Sequence, residues 1–127
     1  MQLPNSVIHP MLDAIGADGP DRQVGLSTTP LTVTPDGLSG VTEPDAPSYA
    51  RVDLPATAWR RAADRLLRTD APVFFPDPVE DWGVAVAYFL TDAAGVPEIP
   101  VQIGGGGIRI AAGASGVNVT PRIPARF

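Results

Sequence analysis

The sequence predicts a small, mainly β protein: an antiparallel sandwich or barrel-like domain with a short N-terminal helix and one inserted amphipathic helix. Three observations predict it. Tyr49 to Leu54 and Trp82 to Leu90 alternate with the two-residue period of strands. With 13 Gly and 15 Pro in 127 residues, turn-forming positions punctuate the chain into short segments. Helical spacing of apolar residues is confined to the first sixteen residues and to Thr57–Thr69.

At the N-terminus, Val7, Ile8, Met11, Leu12 and Ile15 recur at three- and four-residue intervals, with Ser6 as N-cap and Gly16 as the stop. Pro10 is compatible with a helix starting at Ser6 or Val7, because first-turn N–H groups lack intrahelical acceptors. Residues 1–16 are thus a helix or arm whose apolar stripe needs cover. Gln23 to Thr28 reads as a strand closed by Thr29-Pro30. The stretch from there to Ser48 has little periodicity and reads as a long loop, of the kind that is functional or ordered from outside.

In the strand Tyr49–Leu54, Tyr49, Arg51 and Asp53 share one face and Ala50, Val52 and Leu54 the other. Glu43, upstream in the loop, can either reach Arg51 through a charge-assisted hydrogen bond or remain a solvated partner of little consequence. Thr57–Thr69 reads as an amphipathic helix of two to three turns: Trp59, Ala62, Ala63, Leu66 and Leu67 at helical spacing, Thr57 as N-cap, and Arg60, Arg61, Arg65 and Arg68 on the polar side. That arginine face suits solvent first, and otherwise an acidic partner surface or phosphate.

Val73–Phe75 is a short strand ended by Pro76. In the long strand Trp82–Leu90, Trp82, Val84, Val86, Tyr88 and Leu90 oppose the mostly small Gly83, Ala85, Ala87 and Phe89, so it is expected at the centre, with the N-terminal helix against its small face. Asp92-Ala93-Ala94-Gly95 forms a hairpin turn leading to a strand at Ile99–Ile103. Gly104–Gly107 separates it from Ile108-Arg109-Ile110, Val117–Val119 forms a last strand, and residues 120–127, with Ile123 and Phe127, form an extended arm suited to gripping a neighbour.

Composition narrows the chemistry. The length fits one domain spanning residues 1–127. The net charge is −5 without a dense basic run, which disfavours a nucleic-acid partner. There is no cysteine, and all nine positive charges are arginine, so thiolate chemistry, a phosphate-loop lysine and a Schiff base are all excluded. No stretch approaches the ~20 apolar residues of a membrane helix and the N-terminus lacks secretory features, so no membrane partner is expected.

Tempting motifs carry little. The four glycines at 104–107 lack the spacing and lysine of a phosphate loop. Asp77, Glu80 and Asp81 fall short of a calcium loop and read as a solvated turn. His9, the single histidine, has no marked nucleophile to serve and reads as a packing or surface residue. Asn118-Val119-Thr120 fits the glycosylation acceptor pattern, which carries no weight without a secretory signal.

One set of local sequences belongs together: Val24-Gly25-Leu26-Ser27-Thr28-Thr29-Pro30, Gly40-Val41-Thr42-Glu43-Pro44, Ser48-Tyr49-Ala50-Arg51-Val52, Phe75-Pro76 and Asp81-Trp82-Gly83. In that order and spacing it resembles a family of small tailed-bacteriophage proteins labelled tail fibre or minor tail proteins. The resemblance covers about half the chain, and its pattern positions include Gly25, Glu43, Tyr49, Arg51, Phe75, Trp82 and Gly83. It departs from the family at Thr57–Thr69, where members carry a polar, glycine-rich connection. What it implies is a non-enzymatic virion structural protein without cofactor or metal, residing in the host cytoplasm until assembly and packing against copies of itself and other virion proteins. A capsid decoration protein is the alternative within that class. A carbohydrate- or receptor-binding module, stacking sugars on Trp59, Trp82 or Tyr88, is the alternative outside it. Trp59, Arg60, Arg61, Arg65, Arg68 and Phe127 are the candidate partner contacts.

Overall fold

A computed structural model describes residues 4–63 and 66–124. It is mainly β, with antiparallel pairing throughout and one α-helix among the described residues. The helix α1 (Asn5–Ile15) is followed by β1 (Arg22–Ser27), β2 (Thr32–Thr34), β3 (Gly37–Ser39) and β4 (Val52–Leu54). A single 3-10 turn at Ala56–Ala58 leads into β5 (Trp59–Ala63), β6 (Leu66–Thr69), β7 (Val73–Phe74) and β8 (Gly83–Ala85). The chain continues through β9 (Ala87–Thr91), β10 (Pro97–Gln102), β11 (Ile108–Ile110), β12 (Asn118–Val119) and β13 (Arg122–Pro124).

The centre is a four-stranded sheet in the order β10-β9-β1-β4. β9 is buried along its whole length, as its continuous apolar run requires. On one face of this sheet, Val24, Leu26, Leu54 and Leu90 meet Ile8 and Leu12 of α1, Trp59 and Leu67 of the β13-β6-β5 sheet, and Phe75, Trp82 and Ile110. On the other face a smaller core forms from Ala87, Phe89 and Leu31, with Leu38 and Val41 packed on it.

α1 is capped two residues earlier than predicted, with Pro4 rather than Ser6 at the N-cap; the Pro4 carbonyl accepts from Val7 N (2.9 Å) and Ile8 N (3.1 Å). Pro10 therefore lies beyond the first turn and leaves the Ser6 carbonyl without its helical donor. Gly16 ends the helix, donating its N–H to Leu12 O, and lies so close to Leu67 and Trp59 that a Cβ would meet them at 2.9–3.1 Å.

Four expectations are corrected. The predicted amphipathic helix at Thr57–Thr69 is a β-hairpin, β5 paired with β6. Helix propensity in the Ala-, Leu- and Arg-rich segment is outweighed by tertiary pairing: Trp59 and Leu67 point into the core, Arg60 and Arg68 point out, and β13 adds a third strand. The long loop after Pro30 contains the β2–β3 hairpin, with Gly37 in the left-handed region at φ +135°. That hairpin region, not α1, supplies the cover over Ala87 and Phe89. Finally, Trp82–Leu90 is not one strand. It breaks at Val86, whose N–H donates to Ser27 O (2.9 Å) and whose carbonyl accepts from Ile103 N (3.0 Å), so β8 pairs with β11 while β9 enters the central sheet.

Candidate functional site

Glu43, Tyr49 and Arg51, from two of the local sequences set apart above, converge on one end of the β1–β4 pairing. That ladder stops at Val24 opposite Val52. Two residues on, Leu26 N–H donates instead to the Tyr49 hydroxyl (3.0 Å), which in turn donates to Glu43 Oε1 (2.8 Å). Arg51 grips the same carboxylate with both prongs, Nε to Oε1 at 2.9 Å and Nη2 to Oε2 at 3.1 Å. Its third nitrogen, Nη1, donates to Gly95 O (2.6 Å) in the β9–β10 turn. Of the two readings left open for Glu43 and Arg51, the structure takes the charge-assisted one, as a bidentate pair within a larger network.

Electrostatics follows from these partners. Burial disfavours the charged form of Glu43, but the hydrogen bonds from Arg51 and Tyr49 outweigh it and hold the carboxyl below the usual glutamate value. Burial, reinforced by the adjacent Glu43 carboxylate, pushes the Tyr49 phenol well above the ordinary tyrosine range. The Arg51 guanidinium, held charged by Glu43, also lies over the Phe89 ring at 5.2 Å from its centroid. Opposite Phe89 on β1 stands Gly25, where a Cβ would lie 2.3 Å from the ring.

A second branch runs from the Tyr49 ring. Trp82 meets it edge-on at 5.3 Å and Phe75 stacks at 6.4 Å. Trp82 Nε1–H donates to Ser48 Oγ (2.9 Å), Val79 N–H donates to the same oxygen (3.1 Å), and Ser48 donates through its backbone N–H (2.7 Å) and its hydroxyl to Glu80. Ser48 thereby holds the Glu80 carboxyl below the usual value. The Asp77–Asp81 turn is not a shared carboxylate site, because Glu80 turns to Ser48 while Asp81 pairs with Arg109 at 2.6 Å. Gly83, next to Trp82, has φ +86°.

The Ser27-Thr28-Thr29 segment clamps Gly40–Thr42. Thr28 N–H and hydroxyl both donate to Thr42 O (2.8 and 3.1 Å), Thr42 N–H donates to Ser27 Oγ (3.3 Å), and the Thr29 hydroxyl donates to Gly40 O. The first two blocks of the resemblance are therefore spatial partners. Their polar groups are spent on each other.

The candidate partner contacts divide differently from expectation. Trp59 is not a surface contact: it is 1 % exposed and part of the core. Arg60 pairs with Asp70 (3.0 Å) and Arg61 with Asp13 of α1 (3.6 Å), both exposed at the surface. Arg68 is exposed and sits in register with Arg60 on one side and Arg122 on the other. Arg65 and Phe127, and with them the end of the C-terminal arm, lie outside the described residues. Trp82 and Tyr88 are also buried, so none of the three aromatics named for sugar stacking is available as a platform.

One buried charge escaped the sequence reading. Arg22, 7 % exposed, donates through Nη1 to Thr91 O (2.8 Å) and Glu98 Oε2 (2.6 Å) and through Nε to Ile15 O at the end of α1 (3.3 Å). The available signal was its phase, since Arg22 lies two and four residues before the core-facing Val24 and Leu26. Beside it opens a shallow concavity of about 570 Å³, bordered by Asp21, Asp53 and Asp92. Among the described residues, no three histidine, aspartate or glutamate side chains gather to hold a metal ion, and no helix is long and apolar enough to cross a membrane. The His9 Nε2 is buried without a hydrogen-bond partner among the described residues. Comparisons with family models, with curated proteins and with solved structures find no match for this chain.

Proposed function

We propose that this chain is a non-enzymatic structural subunit of a tailed-bacteriophage particle, of the tail fibre or minor tail type, acting by packing against other subunits. The observation that supports this reading is the fate of the resemblance residues. Gly25, Glu43, Tyr49, Arg51, Phe75 and Trp82 bond and pack with one another and with backbone, leaving no converging set of free polar groups for a substrate. On this reading the pattern residues build the scaffold. Its surface then carries the function, including exposed Val33, Phe74, Val79 and Ile108.

The test is location and copy number. Purified virions probed by quantitative mass spectrometry, and imaged with an antibody to this chain, should show it at the tail in small symmetric numbers. Hundreds of copies over the shell would instead make it a decoration protein. Absence from purified particles overturns both.

A further inference from the structure

We infer that the outer face of the β13-β6-β5 sheet is a docking surface for the acidic concavity of a second copy of this chain. The face presents three arginines in one cross-strand row: Arg60 opposite Arg68 on one ladder, and Arg68 opposite Arg122 on the next. All three are exposed, while Leu67 between them in sequence points inward. Directly opposed like charges weaken a sheet, and here the arrangement is repeated on both ladders of the middle strand. The ion pairs among the described residues include Arg60 with Asp70, and none at Arg68 or Arg122. In a chain of net charge −5, three of nine arginines are concentrated in this row.

A carboxylate-bearing surface is the occupant that planar guanidinium forks fit. The chain supplies one. Asp21, Asp53 and Asp92 border the concavity beside β1 and β4, and its one basic residue, Arg22, is already neutralised by Glu98. The Asp53 side is the open one, because Asp21 accepts from Ala56 N–H and Asp92 from Ala94 and Val96 N–H, whereas Asp53 faces only the long 3.4 Å contact with Gln23. The row and the concavity adjoin, Asp53 and Arg60 bordering one depression between them, so their contact joins copies reciprocally about a two-fold axis or head to tail.

Salt separates this inference from generic association. A chain of net charge −5 repels its copies at low ionic strength, so association that strengthens as salt falls requires local complementary patches. Sedimentation velocity on the full chain at low salt should show species larger than the 13.2 kDa monomer, dissociating at about 0.5 M NaCl where screening is short-ranged. Arg68→Glu and Asp53→Arg, both at exposed positions and checked for folding by circular dichroism, should each weaken association at least about tenfold. An equimolar mixture of the two variants should restore it, because the swapped charges again attract. A wild-type monomer at every salt concentration, association indifferent to Arg68→Glu, or failure of the mixture to restore it overturns the inference. So does binding of duplex DNA that Arg68→Glu abolishes without any self-association. The inference rests on the assembly reading, but the two fail separately: a chain found in virions that never self-associates refutes only the arginine row, and a self-associating chain absent from virions refutes only the phage role.

Discussion

Gly25 and Phe89 are cross-strand partners that share the space of a single side chain, the phenylalanine ring occupying the place where a Cβ on Gly25 would stand, 2.3 Å away. Arg51 closes the same ring from above at 5.2 Å, and Leu31, Leu38 and Val41 seal its sides. Gly25→Ala therefore forces the ring to move in a fully buried site. The expected loss is about 1–3 kcal/mol of unfolding free energy, as for other overpacked cores. Urea melts measure it, and the double variant Gly25→Ala/Phe89→Leu should recover part of the loss. A Gly25→Ala midpoint equal to wild type would show that the contact is loose.

Gly83 is required for a different reason. Nothing lies within 4 Å of its notional Cβ, but its φ is +86°. Gly83→Ala is expected to cost about 1–2 kcal/mol from backbone strain alone, and Gly83→Asn less, since asparagine tolerates that region better. Equal losses for the two substitutions would place the constraint in packing after all. Thermal and urea melts on the pair decide it.

The Glu43 network gives stability a pH dependence of definite sign. Its folded carboxyl lies below the ordinary value of 4.5, so its contribution is complete above that pH and drains away as pH falls through the lower folded value. Glu43→Gln should thus be destabilised relative to wild type at neutral pH and converge with it in acid. At neutrality the difference is about 1–2 kcal/mol, because the pair is partly exposed and screened. Tyr49 acts at the other limit: its folded value is raised, so the stability it confers is whole below about pH 10 and declines above. Denaturant titrations across pH, with Tyr49→Phe as the alkaline control, measure both arms.

Trp59 and Arg60 are sequence neighbours with opposite roles. Trp59→Ala empties a fully buried site and should cost about 3–5 kcal/mol, while Arg60→Ala, exposed on the outer face, should stay within about 0.5 kcal/mol in stability. A mild Trp59→Ala phenotype in denaturant melts would return that residue to the surface.

Period-two alternation made the inward face of β4 legible, whereas residue types and short separation left the reach of Glu43 to Arg51 as one of two readings, because burial of the pair is set by the fold. The β5–β6 hairpin was not, because Trp59, Ala62, Ala63, Leu66 and Leu67 satisfy a helical stripe as well as they satisfy two strands, and only the distant β13 decides between them. The break at Val86 was hidden for a related reason: apolar residues continue without interruption while the hydrogen-bonding partners change. The Arg60–Arg68–Arg122 row depends on two registers that no local pattern encodes. Glu43, Tyr49, Arg51 and Trp82 stand in separate local sequences, and their joint role emerges only when Tyr49 is seen completing the β1 edge at Leu26.

The position of β1 in the sheet order also governs how the chain reaches this state. β1 is the first strand in sequence, yet one of its two neighbours is β9, with Gln23 and Thr91 bonded across 68 residues. During synthesis the β1 segment must wait for most of the chain to emerge, with an apolar edge unclaimed in the meantime. Such non-local closure places folding among the slow, millisecond-to-second β topologies. Refolding by stopped flow should show that speed, and a chain truncated before Ala87 should fail to form the native sheet and aggregate instead.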